Sequence, residues 1–280
     1  MTVDITYGIL NFNPHNHVGA EQVLRDCLES FEANTDKDLT KEVYLIDQAS
    51  DHNRQQELLT IFANKNHWRM LFLDRNIGIS RGINLLAKIA RGEKVCLITS
   101  DTIFSKGLEI DLLKQLELYP GCWQICPASD NASIPYQKAG YQDKGIFSCI
   151  AQELTIQMWP RFVFDKIGYF DERWKACYEN LDFVLRMAMA GGFAAISHES
   201  FCHHKHEMTK KSGARNETYS GYLHMPNGFD QGILHEMWTA KWPGLDWDLL
   251  YRKYAPMDFM ILSEKFKHNM YSPYLQNIGY

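Results

Sequence analysis

The sequence predicts an α/β protein: a mostly parallel sheet with helices on both faces, followed by a mainly helical C-terminal extension. Three observations carry this. Strand and helix patterns alternate through the first two thirds of the chain, as in parallel α/β folds. The strands are continuous apolar runs rather than alternating ones, which marks strands buried on both faces. Each of the first strands gives way to a polar residue, at Asn13, Asp47, Asn76 and Asp101, where such sheets collect their ligands.

Taken in order, Ile5 to Asn11 reads as a strand. Ala20 to Glu32 reads as a helix, with Val23, Leu24, Cys27, Leu28 and Phe31 on one face. Val43-Tyr44-Leu45-Ile46 is an apolar strand that stops at Asp47, and Arg54 to Asn64 is helical. Arg69 to Leu73 is a strand, Ser80 to Arg91 a helix, and Val95 to Thr99 a strand that runs into Asp101. Leu108 to Leu118 forms another helix. Residues 121–150, rich in Gly, Pro, Ser, Asp and aromatics, read as loops and short strands. Phe183 to Ala190 is a helix stopped by Gly191-Gly192, and residues 194–204 form a strand ending in histidines. Residues 212–227 are polar and loop-like. The division expected is a sheet domain over 1–212 and a helical, aromatic extension over 213–280 packed on it, with Trp238, Trp242, Trp247, Tyr251 and Tyr254.

The 280 residues suffice for one large domain with an appendage. The composition, 45% hydrophobic and 22% charged, is that of a globular protein with a real core. Lys plus Arg number 29 and Asp plus Glu 34, a net charge of -5. That sign disfavours sequence-independent binding to nucleic-acid phosphates and makes a nucleic-acid acceptor a poor candidate. No apolar run is long enough to span a bilayer. The N-terminus lacks the basic-then-apolar pattern of a signal peptide, so a cytoplasmic protein is expected. Seven cysteines, mostly in apolar surroundings, fit buried free thiols in a reducing compartment better than disulfides. Cys122 and Cys126 have no second pair and make a poor zinc signal.

Five stretches carry possible chemistry. In Leu45-Ile46-Asp47-Gln48-Ala49-Ser50-Asp51, a carboxylate at a strand end can accept hydrogen bonds from a nucleobase or ribose, although Asp47 and Asp51 also suit turn and helix capping. In Asn76-Ile77-Gly78-Ile79-Ser80-Arg81-Gly82-Ile83-Asn84, the glycines let backbone approach a ligand and Ser80 can cap the helix. Arg75 or Arg81 can face a diphosphate; a capped helix with a solvated arginine is the plainer reading. Neither a Walker loop nor GxGxxG is present. Ser100-Asp101-Thr102 offers a carboxylate for a divalent cation bridging two phosphates, or another turn aspartate. Glu179 and Asp182, three apart, share a face at a helix start, where either can deprotonate a hydroxyl. Helix-dipole acids, or an Asp182–Arg186 ion pair, explain them equally. His198, His203, His204 and His206 cluster at a strand end, where one beside Asp101 completes a metal site and at least two are bystanders.

In order and spacing these stretches resemble the family 2 nucleotide-sugar glycosyltransferases, particularly the rhamnosyltransferase-like branch. Ile5 to Asn13, Gly92-Glu93, Gly168-Tyr169-Phe170-Asp171-Glu172 and Glu179-Asn180-Leu181-Asp182-Phe183-Val184-Leu185-Arg186 extend the match over roughly residues 3 to 210. The resemblance implies a GT-A fold and metal-dependent transfer of a sugar from a nucleoside-diphosphate donor to a hydroxyl acceptor. It implies UDP as the default nucleotide and a glycan, a lipid-linked glycan, a protein or another hydroxyl as acceptor. Asp47 would contact base or ribose, with Asn13, Asn76, Gly78, Arg81 and Ser100 completing the donor site. Asp101 would be the last acid of a DxD-like motif holding Mn²⁺ or Mg²⁺, helped by His203 or His204. Two departures stand out. Only one acid remains in Ser100-Asp101-Thr102, and Asn180 occupies the place of the family's usual catalytic base. A neutral amide takes no proton, so inverting transfer requires Glu179 or Asp182. The Glu-Asn-Leu pattern also resembles the retaining polypeptide GalNAc-transferases, which need no base there. Two further readings are a catalytically inactive sugar-nucleotide or glycan-binding module and a sugar-phosphate nucleotidyltransferase. The latter lacks its Gly-rich basic signature near the N-terminus.

Overall fold

A computed structural model describes residues 2–13, 18–50, 53–132, 134–149, 152–174, 178–205 and 231–244. In chain order the elements are β1 (Val3–Asn11), α1 (Val18–Asn34), β2 (Lys41–Gln48), α2 (Asn53–Asn66), β3 (Arg69–Leu73), α3 (Ile79–Ile89), β4 (Gly92–Thr99), β5 (Thr102–Ile103) and α4 (Leu108–Leu118). They continue with β6 (Cys122–Ser129), β7 (Ile146–Cys149), β8 (Ile156–Pro160), α5 (Phe162–Ile167), α6 (Glu179–Met189), β9 (Phe193–His204) and α7 (Gln231–Lys241). The nine strands form one sheet in the order β3-β2-β1-β4-β8-β6-β9-β5, with β7 also on β9.

The expected fold class stands. The first half, β3-β2-β1-β4, is all parallel, as its apolar strands require. The second half is mixed: β8 runs antiparallel to β4 and β6, β6 and β9 are parallel, and β5 and β7 are antiparallel to β9. Residues 121–150 hide a fully buried eight-residue strand, β6. Pro127 lies inside it, next to a register shift, where a strand proline is tolerated. At that shift Pro127 pairs with Ser197 and Ala128 with Phe201, so His198, Glu199 and Ser200 bulge out of β9.

Two cores cover the two sheet faces. Leu24, Cys27, Leu28 and Phe31 of α1 pack with Ile5, Tyr7 and Ile9 on one side. Ile83 and Leu86 of α3 join Leu10, Trp159, Phe183 and Trp238 on the other. Of the extension, residues 231–244 are described: α7 lies on the second core with Trp238 and Trp242 buried. Residues 206–230, which include His206 and the whole loop expected over 212–227, and residues 245–280, with Trp247, Tyr251 and Tyr254, lie outside the described residues. Six described cysteines are buried and free. Burial raises the thiols of Cys122 and Cys202 to about 12 and pushes those of Cys27 and Cys149 well up too, which leaves them protonated and inert.

α6 begins at Glu179, four residues before the helix read from the sequence. Its cap, Tyr178, is left-handed (φ 61°) and makes no side-chain cap hydrogen bond, so no capping residue announces the start. Gly92 opens β4 against β1. A Cβ there would meet Thr6 N at 2.5 Å and Ile5 C at 2.8 Å, backbone atoms that cannot turn away. Gly92→Ala is therefore expected to destabilise the fold by about 1–3 kcal/mol, read as a lowered urea midpoint with an unchanged slope.

Candidate active site

The carboxyl ends of β1, β2 and β4 stand level, because Asn11 pairs with Asp47 and Leu10 with Thr99. Asp47 is fully buried. Its carboxylate accepts from Asn11 Nδ2 (2.9 Å), Ser50 Oγ (2.5 Å), Ser50 N (3.2 Å) and Gln56 Nε2 (3.4 Å). Ala49, inside that turn, is left-handed (φ 57°), which costs about 1–3 kcal/mol and is held by these bonds. Asp47 thus organises the β2–α2 turn, and the described structure does not present it to a ligand as the resemblance implies. Asn13, beside it, has a buried Oδ1 with no hydrogen-bond partner among the described residues.

At the start of α3, Gly78 N bonds Asn76 Oδ1 at 2.8 Å and Ile77 N bonds Gln48 Oε1 at 3.1 Å. Gly78, at φ 82°, is the helix N-cap, a backbone angle that suits glycine. Ser80 is therefore not the cap. It is buried one residue into the helix and donates to Trp174 O. Arg81, half-exposed, pairs with Glu172 at 3.2 Å, and Arg75 is exposed.

Strand β5 sets Asp101. Thr102 pairs with His204 and Ile103 with His203, Lys205 N donates to Asp101 O at 2.8 Å, and Ser100 N to Leu10 O at 3.1 Å. The two-residue period of β9 decides between the histidines: Cys202 and His204 point inward, Phe201 and His203 outward. His204 Nε2 lies 3.4 Å from Asp101 Oδ2, and its Nδ1 lies 3.8 Å from Glu153 Oε2. Burial opposes charge on His204, but the Asp101 hydrogen bond, with the Asp101, Glu153 and Asp130 charges, raises its pKa overall. His203, half-exposed, instead bonds Asp130 Oδ2 at 2.6 Å. It faces an open pocket of about 640 Å³ between α1 and β9 whose lining includes Asp26, Glu29 and His204. His204, not His203, is the histidine within reach of Asp101 here. His198 bonds Tyr136 O at 3.1 Å and is a bystander. Glu153 carried no signal in the sequence; only the antiparallel return of β8 beside β4 brings it here.

Among the described residues no three His, Cys, Asp or Glu side chains form a ready metal cage. Asp101 and His204 are a two-donor set. One carboxylate and one imidazole, with phosphate oxygens and water, suit Mn²⁺ or Mg²⁺ bound jointly by protein and substrate.

The three polar residues that open α6 have separate fates. Asn180 donates to Gln152 O (2.9 Å) and accepts from Gln124 Nε2 (2.8 Å). Trp159 Nε1 and Gln157 complete this buried amide network around Gln124. Asp182 is fully buried, with Arg186 Nε at 3.1 Å, Lys241 Nζ at 2.6 Å and Trp242 Nε1 at 2.9 Å. Both of its oxygens are engaged, and the Arg186 pair foreseen as the alternative is observed. Glu179 differs. Its Oε2 is buried with no hydrogen-bond partner among the described residues, and burial raises its pKa to about 7 against a small opposing backbone hydrogen bond.

The model for glycosyl transferase family 2 matches residues 15–166, more than half of the chain, and the chain belongs to that family. It is accordingly a nucleotide-sugar glycosyltransferase, and the fold is GT-A-like. S. aureus TarS 1–349 superposes with a TM-score of 0.57 at 14% identity, over 85% of this chain and 70% of that one. The chain spans 46% of the longer S. aureus TarS structure. The mannosyltransferase PcManGT of Pyrobaculum calidifontis, solved with GDP-Man and Mn²⁺, gives 0.60 at 14% identity over 97% and 82%. GalNAc-T7 with UDP, GalNAc and Mn²⁺ gives 0.62 at 12% identity over 96% and 58%. No curated protein sequence matches the chain. Among the described residues no helix is long and apolar enough to cross a membrane. The rhamnosyltransferase-like branch finds no specific support in these matches.

Asp182→Asn strips a buried carboxylate from two cations and is expected to destabilise the fold by about 3–5 kcal/mol. Glu179→Gln is expected to change stability by less than about 1 kcal/mol. Paired urea titrations followed by tryptophan fluorescence measure the contrast.

Proposed function

We propose that this chain transfers a glycosyl group from a nucleoside-diphosphate sugar to a hydroxyl acceptor in a metal-dependent, inverting reaction, with Glu179 as the proton acceptor. The observation that carries the reading is the Asp101–His204 pair at the carboxyl end of β4, where open α/β sheets bind ligands. Asp101 and His204 would hold Mn²⁺ or Mg²⁺, and the cation when bound supplies positive charge to the donor diphosphate. The Mn²⁺ in the GalNAc-T7 and PcManGT structures supports that assignment. Nucleotide sugars of both UDP and GDP type occur among the neighbours, UDP-GlcNAc with TarS and GDP-Man with PcManGT; UDP is the default here.

The chain's own residues do the rest. Asn13 offers an open acceptor for an N–H of the nucleobase, and Asp47 holds the adjacent turn. The glycine-opened start of α3, with Asn76, Gly78 and Arg81, and Ser100 beside Asp101 would form the diphosphate side. A helix N-terminus favours that anion. Glu179 is the carboxyl left over once Asn180 is tied as an amide and Asp182 as an ion pair. Held near neutrality by burial, it is basic enough to take a hydroxyl proton and is substantially ionised at pH 7. Should the anomeric configuration of the product be retained, no such base is needed, and the amide bonds of Asn180 favour that second reading.

A thermal-shift screen of UDP-, GDP- and dTDP-sugars with and without Mn²⁺ tests the donor site. A donor is expected to raise Tm only with the cation, and Asp101→Ala to abolish that shift while leaving the apo Tm in place. Full transfer activity by Asp101→Ala under chelation would refute the reading. Glu179→Gln is expected to keep donor binding and lose about 10²–10⁴-fold in kcat, measured as release of the nucleoside diphosphate.

A further inference from the structure

We propose that Lys241, 62 residues beyond Glu179 in sequence, is a positioning residue that holds the first turn of α6 and keeps the Glu179 carboxyl enclosed. The inference extends the role given to Glu179 above and rests on it for its catalytic meaning alone.

The first turn of α6 has no local device to fix it. Its cap residue, Tyr178, is left-handed and offers no side-chain cap, and Glu179 Oε2 finds no hydrogen-bond partner among the described residues. The fixing comes from α7. Trp238, fully buried, stacks on Tyr178 with ring centroids 5.4 Å apart and lies 6.4 Å from Trp174. Trp242 Nε1 donates to Asp182 Oδ1. Lys241 Nζ, almost wholly buried, sits 2.6 Å from Asp182 Oδ1 and 2.6 Å from Asp171 Oδ2. Asp182 lies one turn beyond Glu179, so anchoring it sets the rotation of the turn that carries Glu179.

Asp171 belongs to the segment whose Trp174 O receives Ser80 Oγ and whose Phe170 bonds Asn84 at both N and O. One ammonium therefore joins α6, α7 and the segment clasped by α3. Removing it leaves two carboxylates facing each other across a buried gap, with Arg186 on one and Arg173 on the other. Like charges at low dielectric repel strongly, and the turn must open to water.

The charged groups bonded into this bridge are Asp182 and Arg186 on α6, Lys241 on α7, and Asp171 and Arg173 on the preceding segment. The upward shift of the Glu179 carboxyl follows from burial, opposed by a backbone hydrogen bond. Opening the turn thus returns the carboxyl toward its ordinary range, whereas a loss of stability elsewhere leaves it where it is.

The test is a pH titration of ¹³Cδ-glutamate-labelled protein by NMR, with Glu179→Gln assigning the resonance. In the parent chain it is expected to titrate near 7. In Lys241→Met it is expected to move at least one pH unit lower, and in Lys241→Arg to return toward the parent value. An unmoved titration in folded Lys241→Met overturns the proposal. If that variant does not fold, Asp171→Asn, which removes one end of the same bridge, is read by the same criterion. This readout needs no substrate, so it stands if Glu179 proves not to be the base. With any donor the thermal-shift screen identifies, Lys241→Met is expected to lower kcat about tenfold and leave the donor KM unchanged; a raised donor KM at constant kcat counts against a positioning role.

Discussion

A two-residue strand sets Asp101 against His204, the pair on which the proposed chemistry rests. Thr102 and Ile103 pair antiparallel with the last two residues of β9, and that short ladder carries Asp101 against His204. The groups come from segments about a hundred residues apart, and Asp101, unlike His204 at the end of β9, has no element of its own. Backbone pairing supplies the rigidity instead, since a strand's register fixes which side chains face which way. The alternation along β9 then turns His204 inward toward Asp101 and His203 outward. The remaining donors, the turn at Asp47 and the start of α3, are positioned by the parallel half of the sheet, which meets this ladder at the end of β4.

The second feature is the division of labour at the start of α6. Three polar side chains within four residues enter three different environments. Asn180 is satisfied at both ends of its amide by neighbours that are themselves amides. A carboxylate there would face Gln152 O with no proton to donate, so the surrounding network is matched to asparagine. Asp182 is neutralised by two cations. Glu179 receives neither treatment among the described residues: its buried Oε2 has no hydrogen-bond partner there, which suits the proton acceptor proposed above. Burying a carboxyl without a partner is costly, and α7 packs on the residues either side of it, Tyr178 and Asp182.

Much of the fold was legible in the sequence. Arg69–Leu73 and Leu108–Leu118 have the bounds their periodicity implies, and the apolar strands revealed the parallel half and the polar strand ends. The mixed half was not legible, because β6 carries a proline and sits amid loop-forming residues, and because nothing local marks β8 as an antiparallel return. In the site, Asp101 could be found from its place after an apolar strand. The choice of histidine was obscured because Phe201, apolar, points outward while Cys202 points in. Asp182 looked like a reactive acid because its partners, Lys241 and Trp242, are remote in sequence. Glu153 had no signal at all. Residues whose role comes from distant contacts are invisible to periodicity, and those are the ones the sequence misplaced.

The three residues that leave the β9 ladder at 198–200 have a consequence for how this strand can vary. Upstream of them β9 keeps step with β6 and β7; downstream it keeps step with the end of β6 and with β5. The bulge uncouples the two registers, as slack in a rope uncouples two knots. Lengthening or shortening the chain there by a residue need not rotate the histidine pair, so the hydrophobic interior and the ligand end of one strand are free to diverge separately.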